Sequence, residues 1–199
     1  MKDKRNIAYK KLLFEFISVS FAVFLGLMLN QWRDSYNSRK LVAQSLENIS
    51  IEIENNSKKV QKMLDSHQFL LSKVENILAH IDHGKIPMDS MGGLNFQLIN
   101  STAWETAKLT QAIAHMDIKI VSEIAGIYEY QDYYTSTVKQ YVLGTTFNQS
   151  FESEQDIRKN KKFFLDLRDF LTTKIVSSEY DLLEYYKELQ EDIKRNIEN

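Results

Sequence analysis

Residues 42–81 read VAQSLENISIEIENNSKKVQKMLDSHQFLLSKVENILAHI, and the spacing of apolar residues in this stretch decides the fold. Steps of four and three residues alternate along it, and ten of the twelve positions they mark are apolar. Such a seven-residue repeat is typical of a long α-helix with a coiled-coil-like seam. The twelve seam positions are Val42, Leu46, Ile49, Ile53, Asn56, Val60, Met63, His67, Leu70, Val74, Ile77 and Ile81.

The apolar face of this helix changes width along its length. From Val60 onward a second row, formed by Leu64, Leu71 and Leu78, widens the face to the breadth of a helix inside a bundle. Before Val60 the face stays narrow. We therefore expect residues 33–59 to pair with few neighbours or with copies of themselves.

Asn56 and His67 are the two polar residues of the seam. A buried Asn in a seam can specify register and oligomeric state, and a His can respond to pH or contact a ligand. The alternative, which we favour on sequence alone, is that both side chains lie at an edge of the bundle and reach water.

One break interrupts the helical pattern, and we predict a loop at 83–100. It contains Gly84, Pro87 and the pair Gly92-Gly93. This pair lacks the Lys and Ser/Thr of a phosphate-binding loop and follows no strand, so a plain turn is the better interpretation.

Three more helices are predicted after this loop from capping signals followed by apolar faces. The apolar faces are, in order along the chain, Trp104, Ala107 and Ile113; Val121, Ile124, Tyr128, Tyr134, Val138 and Tyr141; and Phe164, Leu167, Leu171, Ile175, Leu182, Tyr186, Leu189 and Ile193. Ser101 or Thr102 with Glu105 resembles a capping box, and Asp117 and Ser153 can cap the next two helices. The predicted helices are 33–82, 102–115, 118–147 and 154–197, which make an all-α body packed as a four-helix bundle.

The composition agrees with a helical chain and excludes several functional classes. Six Gly and one Pro in 199 residues are too few for a protein of strands and turns. The absence of Cys excludes disulfides, thiolate metal ligands and Cys nucleophiles. With 25 Lys+Arg against 27 Asp+Glu there is no broad basic surface, so we expect no nucleic-acid partner.

An apolar run at 16–29 carries no charge, and extending it back to 12–29 adds only Glu15. At ~1.5 Å per residue the longer run covers roughly 27 Å, close to the ~30 Å hydrocarbon thickness of a bilayer. No small-residue cleavage site follows Leu25, so we predict a transmembrane anchor over 12–32 rather than a cleaved signal peptide. The expected interfacial anchors are Tyr9, Lys10, Lys11, Trp32 and Arg33.

The basic residues at the two ends of this run predict its orientation. Residues 1–11 contain five Lys or Arg, whereas Arg33, Arg39 and Lys40 follow the run. This bias favours a cytoplasmic head at 1–11 and an exported, periplasmic domain at 33–199. Because Lys, Asn and Ile are plentiful, we expect a bacterial inner-membrane protein.

One face of the predicted anchor carries small and polar residues every three or four positions. Small residues at this spacing let helices approach closely in lipid, so we expect self-association into a homo-oligomer. The alternative is that the small residues are incidental and that Glu15 pairs with Lys11 near the headgroups. The residues of this anchor seam are Glu15, Ser18, Ala22, Gly26 and Asn30.

The sequence offers little for catalysis or for metal binding. His80 and His83 have the spacing of two ligands on one helix face, but no further ligand motif accompanies them. No paired acid and base, and no nucleophile with its base, can be recognised. We therefore predict no enzyme activity, no cofactor and no metal site.

Two groups of side chains could contact a ligand. The last two helices are rich in Tyr, which could line a pocket for an aromatic or sugar ligand or could pack the bundle flanks with hydroxyls in water. A basic cluster, which we interpret as a solvated helix start, contains Arg158, Lys159, Lys161 and Lys162. The tyrosines are Tyr128, Tyr130, Tyr133, Tyr134, Tyr180, Tyr185 and Tyr186.

Residues 11–15, KLLFE, and 24–34, FLGLMLNQWRD, resemble an uncharacterised family of bacterial single-pass membrane proteins. That family has an acidic residue opening the anchor, a Gly in mid-anchor and an Asn-x-Trp-x-(Asp/Glu) exit. Residues 101–107, STAWETA, and 127–131, IYEYQ, are similar to the helical exported part of related hypothetical proteins. The resemblance implies a short cytoplasmic head, one span and a helical exported domain, and it implies no known activity.

These observations predict a non-enzymatic, membrane-anchored scaffold or accessory protein. It would self-associate and present a helical body to an envelope protein partner, with membrane lipid around its anchor. The alternative is a periplasmic ligand-sensing four-helix module that acts through a separate membrane partner.

Overall fold

The computed structural model describes residues 2–87, 94–144, 151 and 153–198. Within these residues the regular secondary structure is helical, which confirms the predicted all-α class. The helices are α1 (Lys2–His80), α2 (Thr102–Leu109), α3 (Ile118–Gly144), α4 (Glu154–Lys159), α5 (Lys161–Phe170) and α6 (Ser177–Glu198), with a 3₁₀ turn at Ala112–His115 and a π turn at Leu171–Val176.

The internal contacts divide the chain into two units, residues 1–44 and residues 45–199. We call the second unit the body. The start of an exported domain at residue 33 stays a prediction. Ile49, Ile53 and Asn56 are completely buried, so the expectation that 33–59 has few neighbours is wrong from Ser45 onward.

The first unit is helical, and its described side chains are mostly exposed. Every described side chain from 13 to 37 is exposed, including Phe14, Leu27 and Trp32. This part of α1 contains a window of 18 residues that is long and apolar enough to cross a membrane, and none of that window is buried.

The seam predicted from the apolar spacing forms the α1 side of the body's core. Of its twelve positions, all but Val42 are buried in the structure. The predicted face of the last helical region is buried as well, from Phe164 to Ile193. Burial of such side chains contributes about 1.5–3 kcal/mol each relative to exposure, which makes this core the main source of stability.

Contacts between side chains give the direction of each long helix in the body. Tyr128 and Gln131 on α3 reach Glu52 and Asn56 on α1, so these two helices run in the same direction. The segment from α4 to α6 runs the opposite way, since Lys161 meets Asp82 near the end of α1 and Glu179 meets His67 further back.

Non-helical residues also cover α1. Residues 94–100 run back along it, with Asn100 beside Asn56 and the Leu98 carbonyl accepting from Lys59 Nζ at 2.7 Å. This agrees with the loop predicted at 83–100 for the residues that the structure describes, whereas the predicted Gly92-Gly93 turn lies outside them.

Two of the three predicted caps are confirmed. Ser153 Oγ accepts from the Asp156 N–H at 3.2 Å, and Asp117 Oδ1 accepts from the Lys119 N–H at 2.8 Å. The capping box at Ser101 is wrong, since its side chain makes no capping bond to α2. A carboxylate from α1 replaces it: Glu52 Oε2 accepts from the Ala103 N–H at 3.0 Å.

The predicted helix 102–115 is shorter in the structure. Gln111 has a positive φ of 60°, which ends the helical stretch and leads into the 3₁₀ turn. As a result Ala112 is buried and Ile113 is only half-buried, although the sequence assigns Ile113 to the apolar face.

The helix predicted at 154–197 is interrupted twice. Asn160 separates α4 from α5, with its side-chain amide donating to the Asp156 carbonyl at 2.8 Å. In the π turn, Thr172 and Thr173 donate to carbonyls four residues earlier, which is typical of bent helices.

Two residues of the basic cluster, Arg158 and Lys161, contact the end of α1, whereas Lys159 and Lys162 are exposed as the interpretation as a solvated helix start predicts. Arg158 donates to the carbonyls of Ile81 and Gly84, the latter at 2.6 Å. Lys161 contacts Asp82 at 2.5 Å, and this bond lowers the pKa of the Asp82 carboxyl. Basic side chains satisfy carbonyls that a helix leaves unpaired at its C-terminus.

Candidate functional site

Three layers of polar side chains cross the otherwise apolar core of the body. Each layer starts from α1 and is completed by residues that are distant in sequence. We name them after their α1 residues: the Glu52 layer, the Asn56 layer and the His67 layer.

In the Glu52 layer both carboxylate oxygens accept a hydrogen bond. Oε1 accepts from the Tyr128 hydroxyl at 2.7 Å, and Oε2 caps α2 at Ala103. The Trp104 ring stacks on Tyr128 with ring centres 6.0 Å apart. This layer therefore joins α1, α2 and α3 through one side chain.

The Asn56 layer joins the Asn56 amide to the backbone of Asn100 and to the side chains of Gln131 and Tyr186. Asn56 donates to the Asn100 carbonyl at 2.7 Å and accepts from the Asn100 N–H at 3.0 Å, which fixes its orientation. Gln131 Oε1 accepts from Asn56 at 3.2 Å and from the Tyr186 hydroxyl at 2.8 Å. Buried polar groups satisfied in this way specify one packing arrangement.

The His67 layer pairs a fully buried histidine with a fully buried glutamate. Glu179 Oε1 accepts from the Tyr134 hydroxyl at 2.5 Å and lies 2.7 Å from His67 Nδ1. Because this oxygen already accepts from Tyr134, we assign the proton of the second contact to Nδ1. The ring of Phe96 lies 5.0 Å from the His67 ring.

Two polar atoms of the His67 layer have no hydrogen-bond partner among the described residues. They are His67 Nε2 and Glu179 Oε2, and both side chains are completely buried. An unpaired buried polar group costs about 1–3 kcal/mol, so this layer stabilises the body less than the other two.

The buried tyrosines are held neutral by their surroundings. Burial is the largest cause that raises the pKa of Tyr128 and Tyr134, and the carboxylates of Glu52 and Glu179 raise these pKa values further. Burial likewise raises the pKa of Tyr186. A phenolate at any of these positions would face a low dielectric and, for Tyr128 and Tyr134, an adjacent carboxylate.

The favoured interpretation of the two polar seam residues is wrong, because Asn56 and His67 are fully buried rather than at a wet edge. Two of their partners, Glu179 and Gln131, are also buried, but the apolar pattern of the sequence did not mark them as core positions. Their burial could have been predicted from their positions, since each lies at helical spacing between apolar residues of its own helix.

The sequence left open whether the tyrosines line a ligand pocket or pack the flanks of the bundle with their hydroxyls in water, and the structure places them in different environments. Tyr128, Tyr134 and Tyr186 are in the core with bonded hydroxyls, whereas Tyr133, Tyr180 and Tyr185 are exposed.

Tyr130 and Tyr185 line a groove of about 420 Å³ between α3 and α6. We call it the α3–α6 groove. Its other lining residues are Ser122, Glu123, Gly126, Ile127, Glu188, Leu189 and Asp192.

The predicted anchor seam is exposed over Glu15, Ser18, Ala22, Gly26 and Asn30. Asn30 also contacts the polar residues that follow it: it donates to Asp34 at 3.0 Å and accepts from Arg33 at 2.8 Å. Trp32 is 68% exposed. The side chains of Tyr9, Lys10 and Lys11 lie outside the described residues, so a Glu15–Lys11 pair stays a prediction.

The chain was compared with protein-family models, curated proteins and solved structures. None of them matches it. The geometry of the described residues is therefore the basis of any functional argument. Within those residues no group of three or more His, Asp or Glu side chains is arranged to hold a metal ion, and His80 Nδ1 contacts the Asn76 carbonyl at 2.8 Å.

Proposed function

We propose that this chain is a non-enzymatic, membrane-anchored helical scaffold that self-associates through its anchor and presents its body to envelope proteins. The observation that carries the proposal is the contrast between the two parts of α1. Its seam is buried from Leu46 to Ile81, whereas all described side chains at 13–37 are exposed. An apolar helix that none of the other described residues covers suits lipid and a second helix.

The proposed arrangement of the body is a four-helix bundle with coiled-coil-like packing along α1. The hydrogen bonds that tie α1 to α2, α3 and α6 support it. In this arrangement the polar layers fix the register, and the outer faces of the helices remain available to partners.

The proposed location is a bacterial inner membrane, with residues 1–11 in the cytoplasm and the body in the periplasm. The charge bias of the sequence supports this orientation. Because the chain has no Cys, single cysteines can be introduced at Lys4 and Lys187. A membrane-impermeant maleimide should label only the Lys187→Cys variant in intact spheroplasts, and labelling of only the other variant would refute the orientation.

Self-association can be tested by crosslinking in membranes with Gly26→Ile. A side chain at Gly26 would meet no atom within 4 Å in its own chain, so the substitution changes the outer surface alone. We expect the wild type to give crosslinked oligomers and Gly26→Ile to give mainly monomers.

Ser20→Ile is the matched control, because it also adds a bulky side chain to the same helix but lies about 120° around the helix from Gly26, outside the seam. It should crosslink as the wild type does. If the wild type, Gly26→Ile and Ser20→Ile all run as monomers, or all as oligomers, the anchor seam is not the association surface.

The α3–α6 groove favours a second candidate function, a ligand-sensing module that acts through a separate membrane partner. Its volume of about 420 Å³ lies within the range of about 300–1,000 Å³ found for small-molecule sites. The two functions are compatible, since the groove is in the body and the association surface is in the anchor.

A further inference from the structure

The α3–α6 groove has a defined electrostatic character. Its lining includes the carboxylates of Glu123, Glu188 and Asp192 and contains no Lys, Arg or His. Lys119 contacts Glu123 from outside the groove at 3.6 Å, and Arg195 pairs with Asp192. Glu188 and Asp192 are four residues apart on one helix, where like charges repel each other.

Aromatic rings form another part of the lining. Tyr130 and Tyr185 meet edge to face with ring centres 5.4 Å apart. The hydroxyl of Tyr130 donates to Asp181 at 2.9 Å, which holds its ring in place. Tyrosine rings attract cations at their faces, and the attraction adds to that of neighbouring carboxylates.

Gly126 keeps the groove open, although its backbone does not require a glycine. The residue lies within α3, and its φ is outside the left-handed range. A Cβ added there would meet no atom within 4 Å. Glycine destabilises a helix interior relative to alanine, so a side chain at this position would favour the helix and fill part of the groove.

We propose that the α3–α6 groove binds a small organic cation, with its ammonium group beside Glu123, Glu188 and Asp192 and its carbon skeleton against Tyr130 and Tyr185. An organic ammonium ion uses both the charge and the aromatic rings, whereas a bare metal ion uses only the carboxylates. An anion would find no cationic side chain in the lining to pair with. This inference goes beyond the proposed scaffold and names a ligand class for the second candidate function.

The proposal can be tested with the full-length protein in detergent, using benzyltrimethylammonium and spermidine as cationic probes in calorimetric titrations. Benzoate, and NaCl at matched ionic strength, are the comparisons. We expect saturable binding of at least one cationic probe and none of benzoate. Absence of saturable binding of either cation, or equal heats with NaCl, would overturn the proposal.

Two variants locate the binding. Gly126→Met should reduce affinity at least tenfold, because its side chain occupies the groove, and Glu188→Gln should reduce it about tenfold by removing one charge. Glu184→Gln is the matched control, since Glu184 lies one turn before Glu188 on α6 and does not line the groove. It should bind as the wild type does.

The unliganded melting temperature of each variant shows whether it folds. Binding by folded Gly126→Met and Glu188→Gln with wild-type affinity would place the cation elsewhere and refute the site. Crosslinking through the anchor is measured separately, so a failure of the groove and a failure of the scaffold proposal give different results.

Discussion

Replacing Glu179 with Leu removes the acceptor at the centre of the His67 layer. Two buried donors, the Tyr134 hydroxyl and His67 Nδ1–H, lose their partner, since both contact Glu179 Oε1. At about 1–3 kcal/mol for each unpaired donor the loss is roughly 2–6 kcal/mol. We expect Glu179→Leu to destabilise the body by about 3–5 kcal/mol.

The structure predicts that removing the whole layer costs far less than removing one member. In the triple variant His67→Leu, Tyr134→Phe, Glu179→Leu no polar side-chain group of the layer remains unpaired, and the two orphaned atoms disappear. Replacing all partners of a buried hydrogen-bonded cluster by apolar side chains of similar shape is often nearly neutral or stabilising. The triple variant should therefore lie within about 1 kcal/mol of the wild type.

A matched surface pair lies one residue further along each of the same two helices. Gln68 donates to the Tyr180 hydroxyl at 2.5 Å, and Tyr180 is 52% exposed. Tyr180→Phe should cost no more than about 0.5 kcal/mol, because water can replace the lost bond.

Thermal unfolding of the full-length protein in detergent, followed by circular dichroism, measures these differences. For a folded unit of this size 1 kcal/mol shifts Tm by about 2–4 °C, so Glu179→Leu should lower Tm by about 6–20 °C. A triple variant as unstable as Glu179→Leu would show that lost packing, rather than unpaired donors, causes the destabilisation. A drop of similar size for Tyr180→Phe would refute the role of burial.

The remaining predictions concern alkaline pH and the end of α1. Tyr128, Tyr134 and Tyr186 have raised pKa values in the folded state, so their stabilisation is complete below the unfolded pKa of about 10 and is lost as pH rises above it. Stability measured by urea unfolding should fall above pH 10 by about 1.4 kcal/mol per pH unit for each tyrosine, and an unchanged slope in Tyr186→Phe would contradict this. Arg158→Ala should speed amide hydrogen exchange in the last turn of α1 and cost about 1–2 kcal/mol, because the carbonyls of Ile81 and Gly84 lose a charged donor. Arg168→Ala, which removes only an exposed pair with Asp169, should leave that exchange unchanged.

The fold class and the faces of the long helices could be predicted because they follow from local spacing. The alternation of three and four residues assigns buried positions on α1 without any knowledge of what covers them. The same spacing places Phe164, Leu167 and Leu171 in the core. Local sequence is thus enough to predict that a segment is helical and which of its residues form the apolar face.

The width of the apolar face was a poor guide to where packing begins. The narrow stripe before Val60 predicted few neighbours, yet Ile49 and Ile53 are fully buried. Polar residues extend the buried face there, since Glu52 forms hydrogen bonds with α2 and α3, and Asn56 forms them with residues 94–100. Counting apolar residues therefore misses a buried helix face that includes polar side chains.

The polar layers could not be predicted because their partners are far apart in the sequence. Glu179 lies 112 residues from His67, and Gln131 lies 75 residues from Asn56. Helical spacing places each residue on an inner face, but the pairing depends on which helices are neighbours and in which register. Without that register a buried His and a His at a wet edge give the same pattern.

The π turn explains how α6 reaches this register. Leu167, Leu171, Ile175 and Glu179 are all buried and follow one another in steps of four. Each such step exceeds a helical turn of 3.6 residues, so three steps accumulate an excess of about one residue. The π turn at Leu171–Val176 absorbs that residue and keeps Glu179 on the inner face. The π turn therefore sets the register of α6 next to the His67 layer. Because two buried atoms of this layer have no hydrogen-bond partner among the described residues, its polar groups contribute least to the stability of the core.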